Sequence, residues 1–219
     1  MKLHFKKRRD RALTIMEVLV VIMVLFFLGL MLLSYLARQK RYSIGSRCVS
    51  NVKQVNLSFR IWEGDNDNKY PMVVSVTNGG AMETMAKGDV VNCFFVMSNE
   101  LSTPQILICP ADVNRVPATN FMTDFNSSHI SYFVGVDVTN EDPAQRVLCG
   151  DDNFLINGSP IKSGLVQYPT NTPIAWGSDR HKLVGNLGLA DGSVLELSIA
   201  GLQTAFLQSG LAINRLAIP

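Results

Sequence analysis

Residues 12–36 read ALTIMEVLVVIMVLFFLGLMLLSYL, directly after the leader MKLHFKKRRDR. From Val18 to Leu33 sixteen residues pass without a charge or a strongly polar side chain. The 24 residues from Leu13 to Leu36 make a helix of about 36 Å, enough to span a hydrocarbon layer of roughly 30 Å. One carboxylate, Glu17, stands near the start of this run. An acid there costs about 2–3 kcal/mol on insertion scales, which makes it a functional candidate in its own right. A secretory signal peptide has a shorter apolar core that ends at a small-residue cleavage site, and no such site follows here.

Working outward, the leader carries six Lys or Arg and one Asp, a net of +5. The whole chain is +2, so residues 13–219 carry −3. The positive charge is therefore a topogenic signal that holds the leader in the cytoplasm, against the weaker pull of Arg38, Lys40, Arg41 and Arg47 beyond the span. No basic patch with interleaved aromatics is left to bind nucleic acid. The chain is expected in the inner membrane, single-pass, with its larger part extracytoplasmic.

The pattern of basic leader, small residue, Leu13-Thr14-x-x-Glu17 and apolar run resembles the N-terminus of type IV pilins and type II secretion pseudopilins. Ala12 stands where that family usually has Gly, and Leu13 where it usually has Phe. The resemblance implies cleavage between Ala12 and Leu13, methylation of the new Leu13 amine, and assembly into a pilus or pseudopilus filament. Thr14 and Glu17 match the family directly, and Glu17 would pair with the N-terminus of a neighbouring subunit, as a buried carboxylate needs an opposite charge. The implied partners are a prepilin peptidase that also methylates, an inner-membrane assembly platform, like subunits and membrane lipid.

The helix is expected to continue past the membrane, since only Gly29 and Gly45 interrupt residues 13–63 and proline is absent from them. Cys48, Val52, Val55, Phe59 and Trp62 recur at spacings of four, three, four and three, one apolar stripe on a helix. The expected organisation is a leader over 1–12, a transmembrane helix over 13–36, its amphipathic continuation over 37–63 and a β-rich domain over 64–219. Gly64 is the expected helix cap and Pro71 the stop. The fold class is α+β and pilin-like, a long N-terminal helix packed on a small antiparallel sheet with long loops.

Beyond Pro71 the sequence reads as short strands and loops: Met72–Thr77, Asn92–Met97, Ile106–Cys109, Ser131–Val138 and Ile174–Trp176. Ala190-Asp191-Gly192 between Leu187–Leu189 and Ser193–Ser198 marks a hairpin. Ile199–Leu216 reads as a final helix.

The pieces VMSNEL (96–101), ILICPAD (106–112), SYFVG (131–135) and GDDN (150–153), with nine residues between His181 and Asp191-Gly192, are similar to a subgroup of prepilin-type proteins described mainly from planctomycete and verrucomicrobial bacteria. That likeness bears on fold more than on chemistry. Two readings of His181, Asp191 and Gly192 stand open: a metal or catalytic pair, or a packed histidine beside a structural turn. Calcium stabilises loops in some major pseudopilins, which makes Asp151, Asp152 and Asp179 candidate ligands here. Asp65-x-Asp67 lacks the Gly and Glu of a calcium loop and reads as a solvated turn.

Four cysteines, Cys48, Cys93, Cys109 and Cys149, fall in an oxidising compartment under this topology, and three pairings of all four are open. Cys48–Cys109 is the favoured single pair, because both lie by segments expected to pack where the helix joins the domain. Free buried thiols are the alternative. No zinc spacing, nucleophile elbow, phosphate loop or H-E-x-x-H occurs, so no cofactor and no enzymatic activity is expected. The expected function is a filament subunit, with a membrane-anchored binding module that does not polymerise as the alternative; an anchored hydrolase using His181 is a third reading that goes against this expectation.

Overall fold

The computed structural model describes residues 14–139 and 143–219. The Ala12–Leu13 junction lies outside them. The chain divides into two compact units between Ser43 and Ile44.

The first unit holds the start of helix α1 (Ile15–Asp65). Thr14 caps it: its hydroxyl accepts the Glu17 N–H at 3.3 Å, and Glu17 Oε2 accepts the Thr14 N–H at 2.8 Å and hydroxyl at 3.0 Å. This reciprocal pair is a capping box, which satisfies two donors that a helix start leaves open. From Ile15 to Leu36 the helix has a mean hydropathy of 2.9 with none of it buried. It is long and apolar enough to cross a membrane, and an all-round apolar surface of this length suits lipid.

The second unit begins with the remainder of α1. Cys48, Val52, Val55, Phe59 and Trp62 are all buried, the stripe that the spacing predicts. The helix runs through Gly64 to Asp65, and Asp67 and Asn68 take the left-handed conformations instead (φ 55° and 56°). These residue types tolerate that region better than most, so Gly64 is not needed as the cap.

Next come a 3-10 turn at Pro71–Val73, another at Val76–Asn78, and the short helices α2 (Met82–Met85), α3 (Val90–Val96) and α4 (Ser98–Leu101). The strands expected at Met72–Thr77 and Asn92–Met97 are therefore not formed. Glu83 binds the Ser75 hydroxyl and the Val76 N–H, which folds the first segment back as turns. Asp89 caps α3 by accepting from Val91 and Asn92. Ile106–Cys109 is likewise no strand; a 3-10 turn covers Pro104–Leu107.

The strands follow: β1 (Tyr132–Gly135), β2 (Val147–Asp151), β3 (Phe154–Ile156), β4 (Ser159–Pro160), β5 (Gly164–Pro169), β6 (Ile174–Trp176), β7 (Val184–Leu189) and β8 (Val194–Ser198). Helix α5 (Ile199–Gln208) and β9 (Ile213–Ile218) complete the order. The expected last helix thus stops halfway: Ser209 is its C-cap, Gly210 at φ 74° turns the chain, and the rest is strand.

The main sheet is antiparallel, in the order β5-β9-β1-β2-β7-β8, and a second has β4-β3-β6. Both faces of the main sheet are covered. Tyr132 and Val134 pack in the core that contains the α1 stripe and α3, while Phe133 packs with Leu202, Phe206, Phe154 and Trp176. The pairing shifts register between Val147 and Cys149, a bulge that disturbs this alternation in β2. So the fold is α+β, with an apolar N-terminal helix and antiparallel sheets larger than expected.

Candidate functional site

The polar chemistry of the second unit gathers at one place beside α1. Four of the quoted segments supply it. The turn after Cys109 brings Asp112, whose N–H donates to the Cys109 carbonyl at 2.8 Å. The residue before β1, Ser131, donates its hydroxyl to Asp112 at 2.8 Å. The end of β2 supplies Asp151 and Asp152, and the loop before β7 supplies Arg180 and His181.

Arg180 is the hub. Its Nη2 lies 2.7 Å from Asp112 Oδ2, its Nη1 lies 2.7 Å from Asp152 Oδ1, and Nη1 also reaches the Ser131 carbonyl at 3.3 Å. Arg115 adds a second guanidinium, 2.6 Å from Asp152 and 3.5 Å from Asp112. Burial pushes the Asp152 pKa up, with both arginines pulling the other way. Burial works against the Arg180 charge as well, yet Asp152, Asp112 and Asp151 leave its pKa raised. The upward shift favours a neutral acid at Asp152 and a charged base at Arg180. Contacts of 2.7 Å to two carboxylates decide for a charged guanidinium.

Asp151 is fully buried beside this network. Its Oδ2 accepts the Asn186 backbone N–H at 2.8 Å and side-chain amide at 2.9 Å. Burial raises its pKa, opposed first by His181 and then by the Asn186 bond. His181 Nε2 lies 3.9 Å from that same oxygen and 3.0 Å from Cys109 Sγ. Cys109 is joined to Cys48 in a disulfide, while Cys93 and Cys149 are free and buried. Burial lifts the Cys149 thiol to about 12.

His181 and Asp191 are not partners. Asp191 sits in the β7–β8 turn, where its carboxylate accepts the Ser193 N–H at 2.8 Å and Gly192 takes φ 91°. That turn is clamped to α1: Asn56 Nδ2 donates to the carbonyls of Leu189 (3.0 Å) and Ser193 (3.2 Å), and Arg60 reaches the Ala190 carbonyl, as does Tyr70 from the segment after the helix. Gly188 permits the approach, since a Cβ there would stand 2.9 Å from Asn56 Nδ2.

No family model matches the chain, and neither curated proteins nor solved structures give a significant match.

The calcium reading fares poorly against this geometry. Asp151 is taken up by Asn186, and Asp152 by two guanidinium groups; Asp179 is exposed. Asp152 and Asp179 line one open cleft of about 590 Å³, but Arg115 and Arg180 line it too. A calcium ion beside Asp152 would have to displace fixed cations, so this donor set does not fit calcium. The sulfur that His181 meets belongs to the Cys48–Cys109 disulfide. The sequence reading passed over Arg115, Arg180, Asn186 and Asn56. A pair of adjacent aspartates in an apolar strand is the signal that buried partners must exist elsewhere.

Proposed function

We propose that this chain is a prepilin-like subunit, cleaved after Ala12, methylated on Leu13 and assembled through its apolar helices into a type II secretion pseudopilus or type IV pilus-like filament. The observation that carries this reading is the helix start itself. A Thr14–Glu17 capping pair opens a span of 22 residues with mean hydropathy 2.9, and a basic leader precedes it. The carboxylate is thereby held at the first turn, where a neighbouring subunit's cleaved α-amine would meet it at membrane level. The peptidase, the inner-membrane platform, lipid and like subunits are the partners that follow.

A second reading has the same helix anchoring an extracytoplasmic binding module that does not polymerise. The open cleft lined by Arg115, Asp152, Asn153 and Asp179 favours it. The mature N-terminus separates them, measured by mass spectrometry on protein from membranes with an active prepilin peptidase. A chain that starts at N-methylated Leu13 supports the filament subunit. A chain that keeps Met1–Ala12 overturns it in favour of the module.

A further inference from the structure

We propose that Cys48, Cys109 and His181 form a thiol-gated site for one soft cation of the Zn²⁺ class, closed as the disulfide and open when it is reduced. The three ligand atoms lie within 4.8 Å of one another. Thiolate and imidazole are the donors such ions prefer, at about 2.3 and 2.0 Å, which sets neighbouring ligand atoms roughly 3.5–3.8 Å apart. The His181 nitrogen already stands 3.0 Å from Cys109 Sγ. The sulfurs need only part from covalent contact, a movement within reach of a side-chain rotation.

Each ligand comes from a separately braced element. Cys48 is on α1, inside the buried stripe. Cys109 follows Ile108, whose carbonyl accepts from Asn51 Nδ2 of the same helix at 2.9 Å. His181, Lys182 and Leu183 are consecutive left-handed residues (φ 33°, 53° and 68°), a run that L-residues adopt only when their surroundings impose it. Arg180 pins one side of that run through its two aspartates, and β7 begins right after it.

Asp151 supplies an independent observation. It is fully buried, with Oδ2 3.9 Å from His181 Nε2, and its Oδ1 has no hydrogen-bond partner among the described residues. A cation held by His181 and the two sulfurs would bring a further positive charge close to this carboxylate, beside that of Arg180. The arrangement does not depend on whether the chain polymerises.

Opening takes a two-electron reductant, of which a dithiol is the biological class. The dithiol gives two electrons and two protons to the Cys48–Cys109 bond and is left as its own disulfide. Zn²⁺ then replaces the two thiol protons, which pass to solvent, while His181 donates the Nε2 lone pair as neutral imidazole.

The test uses the full chain in detergent micelles, prepared once oxidised and once under a phosphine, which ends as its oxide with oxygen taken from water. Co²⁺ is the probe. One Co²⁺ per reduced chain, with a thiolate-to-cobalt charge-transfer band that Zn²⁺ abolishes, is expected, and none for the oxidised chain. Cys109→Ser should remove the band, and His181→Gln should weaken binding at least about tenfold, since even outer partners of a metal are worth that. Cys93→Ala should leave it intact. The proposal is overturned if the reduced, folded chain binds no Co²⁺, if Cys109→Ser binds as well, or if the oxidised chain binds equally. A reduced chain that stays unfolded with Zn²⁺ present overturns it too.

Discussion

Arg180 Nη2 lies 2.7 Å from Asp112 Oδ2, in a place where both side chains are almost fully buried. Its other terminal nitrogen serves Asp152 at the same distance. Truncating such a hub leaves two buried carboxylates sharing the one guanidinium of Arg115. Arg180→Met should lower unfolding free energy by about 3–5 kcal/mol, and the triple change with Asp112→Asn and Asp152→Asn should recover most of that loss. Urea titration followed by near-ultraviolet circular dichroism checks both; an Arg180→Met loss below about 1 kcal/mol would show that Arg115 alone neutralises the pair.

Asp151 sets a pH dependence. Burial raises its folded pKa above the unfolded value of about 3.9, so the protonated form favours the folded state. That contribution is fully present below the unfolded value and is lost as pH rises through the folded one. Asp151→Asn keeps an acceptor for Asn186 and removes the ionisation. The variant should therefore gain stability relative to the native chain as pH is raised from about 4, with a flatter profile. Denaturant midpoints across a pH series decide it, and a gap that shrinks with pH would mean that His181 and Arg180 outweigh burial.

Glu17 caps the helix, and under the proposed filament reading it has a second job as an anion. Glutamine closes a capping box as well as glutamate does, so Glu17→Gln should leave first-turn amide protection within a few-fold of native and still abolish filament assembly. Thr14→Ala should do the reverse on protection, costing the helix start about 1 kcal/mol. Hydrogen exchange in lipid nanodiscs, read beside electron microscopy of filaments, separates the two. Assembly that survives Glu17→Gln would reduce the residue to its capping role.

Asn56 ties the β7–β8 turn to α1 with one amide and two carbonyls. Asn56→Ala removes one donor from each carbonyl, which keep the N–H groups of Gly192 and Leu189, and two hydrogen bonds lost should cost about 1–3 kcal/mol. The loss should be local first: amides of Leu189 and Ser193 should exchange faster than those of β1. Uniform acceleration across the sheet would contradict a clamp confined to this turn.

Periodicity carried much of the architecture. The α1 stripe from Cys48 to Trp62, strand β6 at Ile174–Trp176 and the hairpin around Asp191-Gly192 could all be read from spacing and turn chemistry. What failed was decided by neighbours or by caps. Asn92–Met97 has the composition of a strand, but Asp89 caps it into a helix of less than two turns. Met72–Thr77 is β-branched, yet Glu83, seven residues past Val76, fastens it as turns. The polar site was legible only as isolated letters. Asp112, Asp152 and Arg180 lie far apart in sequence, and nothing local shows that one guanidinium will serve both acids. His181 and Asp191 looked like one motif; the chain uses them at separate places, one against a sulfur and one in a turn.

The sheet order has a bearing on how the molecule is made. Strand β9, residues 213–218, sits between β5 and β1 and, among the described residues, joins β5 to the rest of the sheet. Until residue 218 has cleared the ribosome, β1 and β5 keep open edges that other chains can pair with. An apolar helix delivered to lipid early would hold each unfinished chain apart from its neighbours during that interval, so that tethering acts as a guard against aggregation before it serves any other purpose.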